Sequence, residues 1–263
     1  MSPAEPVLLW HGVGEHQLPT EPTWLADAER ERAASLRFTK RRNDYLLGRF
    51  ASKATVAHAL NLASAPSALQ RIEVRNRASG AERGAPELFV DGAPCPLGIS
   101  ITDRAGWGVC MLGPDGLRLG CDLELVEERS DAFIADYLTP AEQVFVEGAA
   151  AGPARWLRAN GIWSAKESVL KVLRTGLRRD TRSVEIQMPE GAPADGWHPL
   201  RASTSEGLVF TGWWCRFGEF LLTCASATPT APPVALGDPP ALTGALPSHN
   251  WLDAPLDPGS AGA

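Results

Sequence analysis

The sequence predicts an α+β fold of two similar subdomains related by a pseudo-twofold axis, each with helices packed on a small antiparallel sheet. Two observations indicate this fold. Helical periodicity followed by strand-like alternation occurs once before Gly113 and again after it. The alternation stops near Ala227, beyond which eight prolines interrupt the chain. We therefore expect subdomains at residues 1–113 and 114–226, with a disordered Pro-rich tail at 227–263.

The composition is that of a soluble globular protein, with 44% hydrophobic and 21% charged residues. No apolar run reaches membrane-spanning length, and the N-terminus lacks a basic region followed by an apolar segment. The five cysteines form no C-x-x-C pair and lie mostly in apolar surroundings. Because unpaired thiols in odd number are typical of a reducing compartment, we expect a cytoplasmic protein without a membrane partner.

The charge distribution is uneven along the chain. The formal net charge is −6, which argues against a general nucleic-acid-binding protein. From Arg30 to Lys53, however, eight basic residues face only two acidic ones, so this segment carries +6. A basic surface on an acidic protein suits a small polyanion or an acidic partner protein. The alternative interpretation is a solvated helix face without a binding role.

The first half is predicted to contain two helices, at Thr23 to about Arg37 and at Asn43–Leu62. Gly48 falls inside the second helix, where a glycine costs about 1 kcal/mol relative to alanine. Close packing or the approach of a ligand would explain it. Arg49 and Lys53 are four residues apart on this helix and share one face. Strands are expected at 7–10, 72–74, 87–90 and 99–102.

The second half begins with a predicted hairpin. Trp107–Leu112 and Leu117–Val126 have strand patterns, and they flank the turn sequence Gly-Pro-Asp-Gly at 113–116. Asp122 and Glu124 alternate along the second arm, so both carboxylates should emerge on one face of the strand.

Two helices follow the predicted hairpin, at Asp131–Gly148 and Pro153–Leu173, and antiparallel strands continue to about residue 225. Within the second helix, Glu167 precedes Lys171 by four residues, the favourable order for a charge pair.

Packing of that helix on the strand would bring Glu167 to Asp122 and Glu124. Three converging carboxylates require a cation between them, and hard oxygen ligands suit Mg²⁺. Asp-x-Glu alone is a weak indicator, because exposed strand faces often carry alternating acids. The sequence also has no Gly-x-Ser-x-Gly elbow, P-loop, His-Glu-x-x-His motif or zinc spacing. Phosphate chemistry by a metal and carboxylates is the remaining interpretation.

Two motifs together carry a resemblance to a known family. Gly-Cys-Asp-Leu-Glu at 120–124 is followed by Trp-Ser-Ala-Lys-Glu-Ser at 163–168 and then by Lys171. This pair resembles the signature of 4′-phosphopantetheinyl transferases, and the basic segment Lys40–Arg49 resembles the start of that family's basic helix. The chain length and the order of the motifs are similar to those of its monomeric, surfactin-synthetase-activating type.

The resemblance implies transfer of the 4′-phosphopantetheine arm of coenzyme A to a serine of an apo carrier protein, with release of 3′,5′-ADP. The implied cofactor is Mg²⁺, and the implied partners are coenzyme A and an apo acyl or peptidyl carrier protein. That carrier would come from fatty-acid, polyketide or nonribosomal peptide biosynthesis. The enzyme is expected to act as a cytoplasmic monomer.

The family's site residues carry over position by position. Asp122, Glu124 and Glu167 would hold Mg²⁺ against the pyrophosphate. Glu167 would also be the general base for the carrier serine, directly or through water. Lys171 would contact the phosphate and hold Glu167 in place. The residues expected to bind the nucleotide phosphates are basic or hydroxyl-bearing: Lys40, Arg42, Arg49, Arg77, Arg83, Ser100 and Thr102.

The chain departs from the family pattern at two positions. Ile101 stands where the family often has the histidine of a Ser-His-Ser sequence, and Ala85 replaces the lysine of Gly-Lys-Pro. Both departures remove a cation from the nucleotide end of the site. Two outcomes are open: phosphate affinity is weaker, or Arg83 and Arg104 compensate for the lost cations.

Two other classes of function stay open. A homologue that kept the fold and lost turnover would use its basic helix only to dock an acidic carrier protein. A metal-dependent phosphohydrolase would cleave coenzyme A or a nucleotide without any acceptor protein.

Overall fold

A computed structural model describes residues 4–189, 196–237 and 240–248. These residues form the predicted α+β fold, with six α-helices and three small sheets. The helices are α1 (Asp27–Ser35), α2 (Thr39–Ala59), α3 (Pro66–Gln70), α4 (Asp131–Tyr137), α5 (Pro140–Glu147) and α6 (Pro153–Val172). The strands are β1 (Leu9–Gly14), β2 (Ile72–Asn76), β3 (Pro86–Val90), β4 (Ala93–Pro94), β5 (Leu97–Arg104), β6 (Trp107–Asp115), β7 (Leu119–Leu125), β8 (Val184–Gln187), β9 (His198–Thr204), β10 (Val209–Phe217), β11 (Phe220–Ser226) and β12 (Val234–Ala235).

Each half of the chain packs one long helix on one sheet. In the first half α2 lies on a sheet of order β12-β1-β6-β5, and in the second α6 lies on a sheet of order β7-β11-β10-β9-β8. A small sheet of order β2-β3-β4 completes the first half. The strands are antiparallel except for β12, which runs parallel to β1. The apolar residues of both long helices are buried against these sheets, and this burial is the main source of their stability.

A buried ion pair is repeated in the two halves. Lys53 on α2 lies 2.6 Å from Glu29, and Lys166 on α6 lies 2.8 Å from Glu142. Both lysines are fully buried, and the members of each pair occupy positions offset by the same number of residues between the halves.

The partners of these pairs repeat as well. Each lysine donates to two main-chain carbonyl oxygens, and each glutamate accepts from two main-chain N–H groups. These groups belong to Leu69, Ile72, Ala26 and Val74 in the first half, and to Thr181, Val184, Thr139 and Ile186 in the second. The equivalence supports the predicted pseudo-twofold relation at the level of single residues.

The predicted hairpin around residues 113–116 is wrong. In the part of the chain that the structure describes, β6 pairs with β1 and β5, whereas β7 pairs with β11 and not with β6. Both edges of β6 are therefore occupied, and the loop at 116–118 crosses from one sheet to the other. The turn that does close a hairpin joins β5 to β6, where Ala105 and Gly106 adopt positive φ angles of 47° and 78°.

The two sheets meet where β5 lies beside β7. No main-chain ladder joins these strands among the described residues; side-chain hydroxyls make the connection instead. The Cys121 N–H donates to Ser100 Oγ at 2.9 Å, and the Leu123 N–H donates to Thr102 Oγ1 at 3.1 Å. This contact fixes the acidic strand β7 against the first half of the chain.

The Pro-rich segment is ordered where the structure describes it, so the expected disorder is wrong for residues 227–237 and 240–248. The N–H groups of Ala231 and Val234 donate to carbonyl oxygens of the first strand region, at 3.0 and 2.8 Å. Prolines 232 and 233 lie between these donors, so the pairing loses no hydrogen bond to them. Leu242 is fully buried in a core that contains Trp10. Residues 249–263 of the predicted tail lie outside the described residues.

The described residues include no helix that combines the length and the apolar character needed to cross a bilayer. All five cysteines are free thiols, and four of them are buried.

Candidate active site

The acidic residues of β7 and one face of α6 form the centre of the site. Asp122 and Glu124 point to the same face of the strand, because both contact side chains of α6. Trp163, Glu167 and Lys171 recur at intervals of four residues along that helix, so they share the face that meets β7. Gly120 permits this close packing, since a Cβ there would lie 2.0 Å from the Ser168 carbonyl oxygen.

Asp122 is held by two donors through one of its oxygens. Its Oδ1 accepts hydrogen bonds from Lys171 Nζ at 2.9 Å and from Thr102 Oγ1 at 3.2 Å. Burial acts to lower the pKa of Lys171, but Asp122 and other nearby acidic groups outweigh it and raise that pKa. The predicted partner of Lys171 was Glu167, whereas its carboxylate hydrogen bond goes to Asp122. Lys171 thus positions a carboxylate of β7.

Glu124 has donors on both of its oxygens. Trp163 Nε1 donates to Oε1 at 2.9 Å, and Arg129 Nη2 donates to Oε2 at 3.0 Å. Arg104 Nε lies 3.2 Å from Oε2 as well. Burial and the nearby Asp122 raise the pKa of Glu124, although both arginines oppose this. Arg104 also donates to Glu127, so two carboxylates already pair with this residue, which was expected to compensate for the missing histidine.

Among the three carboxylates, Glu167 has the fewest hydrogen-bond donors in the described part of the chain. Burial, together with repulsion from Asp122 and Glu124, raises its pKa to about 7, while Lys171 opposes the shift. A group with this pKa is partly protonated at neutral pH. Its Oε1 is buried without a hydrogen-bond partner among the described residues, and so is Oδ2 of Asp122. An unpartnered buried oxygen is costly, and two such carboxylate oxygens are what a bound cation would satisfy.

The carboxylate oxygens of the site are in part of the kind that Mg²⁺ binds. No group of three or more His, Cys, Asp or Glu side chains in the described ranges has the arrangement of a metal site. The unpartnered oxygens of Asp122 and Glu167 are nevertheless of the hard type that Mg²⁺ takes. Glu124 is bonded to arginine and indole groups instead. The residues present fit a cation at Asp122 and Glu167, and the three-carboxylate site stays a prediction.

A cleft of about 1200 Å³ opens beside Lys171, bounded by α2, β5, the β2–β3 hairpin and the end of α6. Ten cationic and five acidic side chains line it, which makes its wall +5 in a chain of −6. The cationic residues are Arg32, Arg41, Arg49, Arg75, Arg77, Arg83, Arg118, Lys171, Arg174 and Arg178. A concave wall of one sign concentrates ligands of the opposite charge.

Four of these arginines have no carboxylate within ion-pair distance in the described part of the chain, namely Arg32, Arg41, Arg83 and Arg178. Arginines that are not neutralised by the protein are available to bind phosphate, which their guanidinium geometry matches. Three others, Arg77, Arg118 and Arg174, converge on Glu82.

The structure brings only some of the predicted nucleotide-binding residues to the cleft. Those that line it are Arg49, Arg77, Arg83 and Ser100, and those that do not are Lys40, Arg42 and Thr102. The Thr102 hydroxyl donates to Asp122 instead. On α2, the face that carries Tyr45 and Gly48 points to the cleft, and Arg41 shares it. The sequence analysis named Arg42, and its neighbour Arg41 is the one that lines the cleft.

Other cleft arginines were missed in the sequence. Arg118, Arg174 and Arg178 stand in loops or at a helix end, where no periodic pattern marks them. Only their closeness to the two motifs in the sequence could have indicated them. Arg118 precedes the first motif, and Arg174 follows Lys171 closely. Ile101 and Ala85, where the family's cations are missing, do line the cleft.

The difference between Arg41 and Arg42 gives a matched test of the cleft. Arg41→Ala is expected to weaken binding of coenzyme A about tenfold, because it removes a phosphate donor worth roughly one charge-assisted hydrogen bond. Arg42→Ala should change the affinity less than twofold. Isothermal titration calorimetry at fixed salt measures both. Equal effects of the two substitutions would contradict the assignment of the cleft.

One comparison with known proteins matches the part of the chain that contains this site. Residues 118–215 match the model of the 4′-phosphopantetheinyl transferase superfamily. No curated protein matches the chain. The matched range contains Asp122, Glu124, Glu167 and Lys171, which the fold brings together. The part of the chain that carries the carboxylate site is therefore similar to phosphopantetheinyl transferases.

Proposed function

We propose that the protein transfers the 4′-phosphopantetheine arm of coenzyme A to a serine of an apo carrier protein. The observation that carries this proposal is that Lys171 links the arginine-lined cleft to the carboxylate site. Lys171 lines the cleft and donates to Asp122 at 2.9 Å, so an anion bound at the Lys171 end of the cleft would lie close to Asp122. The family match at residues 118–215 supports the same chemistry.

The cleft arginines would bind the phosphates of coenzyme A. Arg41, Arg83 and Arg178, which lack carboxylate partners among the described residues, are the strongest candidates. They would fix the nucleotide end, so that the scissile pyrophosphate lies at the carboxylates. Holding the reacting groups in place lowers the entropic part of the barrier.

Mg²⁺, when bound, would be held by Asp122 and Glu167, with Glu124 beside them, and would neutralise charge on the leaving phosphate. Lys171 would add a positive charge next to Asp122 and the pyrophosphate. Trp163 and Arg129 would keep Glu124 in one orientation through their hydrogen bonds.

Glu167 is suited to accept the proton of the carrier serine, because a general base works best with a pKa close to the working pH. The serine oxygen would then form a bond to the phosphorus that bears the pantetheine arm. The bond from that phosphorus to the bridging oxygen would break, and 3′,5′-ADP would leave. We propose that the enzyme is of the monomeric, surfactin-synthetase-activating type and acts in the cytoplasm on a carrier from fatty-acid, polyketide or peptide synthesis.

The formation of 3′,5′-ADP tests this proposal against its two alternatives. Coenzyme A and Mg²⁺ are incubated with the protein, with and without an apo carrier protein, and the nucleotides are separated by chromatography. An arm transferase releases 3′,5′-ADP only when the carrier is present. Release without a carrier would indicate a phosphohydrolase, and no release in either sample would indicate a protein that only binds.

Ile101→His is expected to strengthen binding of coenzyme A by up to about tenfold, because it adds a donor where the cleft lacks one. Ile99 lines the same cleft two residues earlier on β5, so Ile99→His is the matched control and should give less than half of that gain in binding free energy. Calorimetry measures both affinities. Absence of any gain at position 101 would show that the missing contact is either compensated by other cations or irrelevant in this protein.

A further inference from the structure

Glu82, on the loop between β2 and β3, accepts hydrogen bonds from three arginines. Arg118 Nη2 donates to its Oε1 at 2.6 Å, and Arg77 Nη1 and Arg174 Nη1 both donate to its Oε2. Arg77 follows β2, Arg118 precedes β7, and Arg174 lies just after α6. One carboxylate therefore ties a loop of the first half of the chain to two segments of the second half.

The three arginines line the cleft, but Glu82 does not. Its carboxylate thus contacts them from outside the cavity. Arg77 has a second carboxylate partner, Glu87 Oε1, at 2.7 Å. Three guanidinium groups set against two carboxylates leave this cluster a charge of +1, so an anion in the cleft meets converged arginines that the protein only partly neutralises.

Arg174 stands at a helix end where glycine is the usual residue. Its φ is 58°, its N–H donates to the Lys171 carbonyl oxygen at 3.0 Å, and the Thr175 N–H donates to the Leu170 carbonyl oxygen at 3.1 Å. Glycine adopts this left-handed conformation without steric cost, whereas arginine does not. A residue kept in an unfavourable conformation indicates a role for its side chain, and this side chain bonds Glu82 beside the cleft.

Two further arginines of the cleft adjoin this cluster. Arg178 Nη2 donates to the Arg174 carbonyl oxygen at 3.0 Å, and Arg178 Nη1 donates to the Arg83 carbonyl oxygen at 3.4 Å. Arg83 is the next residue after Glu82. The conformation of the β2–β3 loop, which carries both Arg77 and Arg83, therefore depends on contacts with the end of α6.

We infer that Glu82 is a positioning residue, an inference that rests on the proposed function. Glu82 holds its three arginines together so that they bind phosphate groups of coenzyme A as one unit, and it does not touch the ligand itself. Without the carboxylate, the like charges of the three side chains would drive them apart. Arginines that are held in place before binding lose less conformational freedom when the anion arrives.

Glu82→Gln tests the inference, because glutamine keeps the size of the side chain but presents an amide donor where one arginine needs an acceptor. Calorimetry at fixed salt measures the affinity for coenzyme A, which we expect to fall about tenfold. Asp91→Asn is the matched control. Asp91 also pairs with an arginine, Arg71, but neither residue lines the cleft, so the affinity should change less than about twofold.

Arg174→Gly separates positioning from a purely structural role. Glycine suits the left-handed backbone at this position, so the midpoint of thermal denaturation should be no lower than that of the unmodified protein. The affinity for coenzyme A should nevertheless fall about tenfold. Because Glu82 acts through this arginine, the double variant Glu82→Gln, Arg174→Gly should lose clearly less than the roughly hundredfold that two independent losses would give.

An unchanged affinity in Glu82→Gln would overturn the inference. A raised affinity would also overturn it, since the carboxylate would then compete with the ligand for the arginines. A roughly hundredfold loss in the double variant would do the same, because Glu82 would then not act through Arg174. If the unmodified protein does not bind coenzyme A, the proposed function fails and the inference with it, whereas normal binding with an unaffected Glu82→Gln variant rejects the inference alone.

Discussion

Lys166→Met is expected to destabilise the fold by about 3–5 kcal/mol, the typical cost of leaving one member of a buried ion pair without its partner. Lys166 is fully buried, lies 2.8 Å from Glu142 and donates to the Thr181 and Val184 carbonyl oxygens. Methionine fills a similar volume but satisfies none of these acceptors. Urea denaturation followed by circular dichroism measures the loss.

The repeated pair in the first half gives an internal comparison. Lys53→Met should cost a similar free energy of unfolding, because Lys53 is equally buried and lies 2.6 Å from Glu29. Lys40→Met is the surface control and should cost less than about 1 kcal/mol, since its pair with Asp44 is solvent-exposed. A loss below 1 kcal/mol for both buried lysines would contradict the structural role of the repeat.

Glu167→Gln is expected to lower the rate of arm transfer by at least about 10²-fold, the lower limit for loss of a general base. The same change should not weaken the fold. Burial and the neighbouring carboxylates raise the pKa of Glu167 to about 7, so its ionised form is disfavoured in the folded state. Glutamine removes that ionised form.

The effect of Glu167→Gln on stability should depend on pH in a definite direction. Because the folded pKa of Glu167 is raised, its contribution to stability is present at low pH and is lost as the pH rises through 7. Thermal denaturation should therefore show Glu167→Gln to be more stable than the unmodified protein at pH 8, with a smaller difference at pH 5. Glu147→Gln, on the exposed surface of α5, should change neither rate nor stability. A Glu167→Gln variant with normal turnover would exclude the proposed base.

Much of the site was predictable from short-range spacing. The alternation of Asp122 and Glu124 placed both carboxylates on one face of the strand, and the helical spacing of Glu167 and Lys171 placed these two on one face of the helix. These inferences needed only the geometry of one strand and one helix. The hydrogen bond of Lys171 to Asp122, rather than to Glu167, depends on how the two elements pack.

The differences from the sequence-based predictions concern features that tertiary packing determines. The Gly-Pro-Asp-Gly turn is compatible with a hairpin, yet β6 already has partners on both edges and β7 joins the other sheet. The sequence analysis named Arg42, whereas Arg41 lines the cleft, because the sequence does not determine how the helix is rotated about its axis. The prolines after Ala227 suggested disorder, but burial of Leu242 against the core outweighs that local signal.

The intact mass of an apo carrier protein tests the central claim most directly. The carrier is incubated with coenzyme A, Mg²⁺ and the enzyme, and mass spectrometry then follows the carrier. The account predicts a mass increase of one phosphopantetheine arm, located by peptide mapping on a single serine and absent with Glu167→Gln. An unmodified carrier protein, with coenzyme A either intact or cleaved, would contradict it.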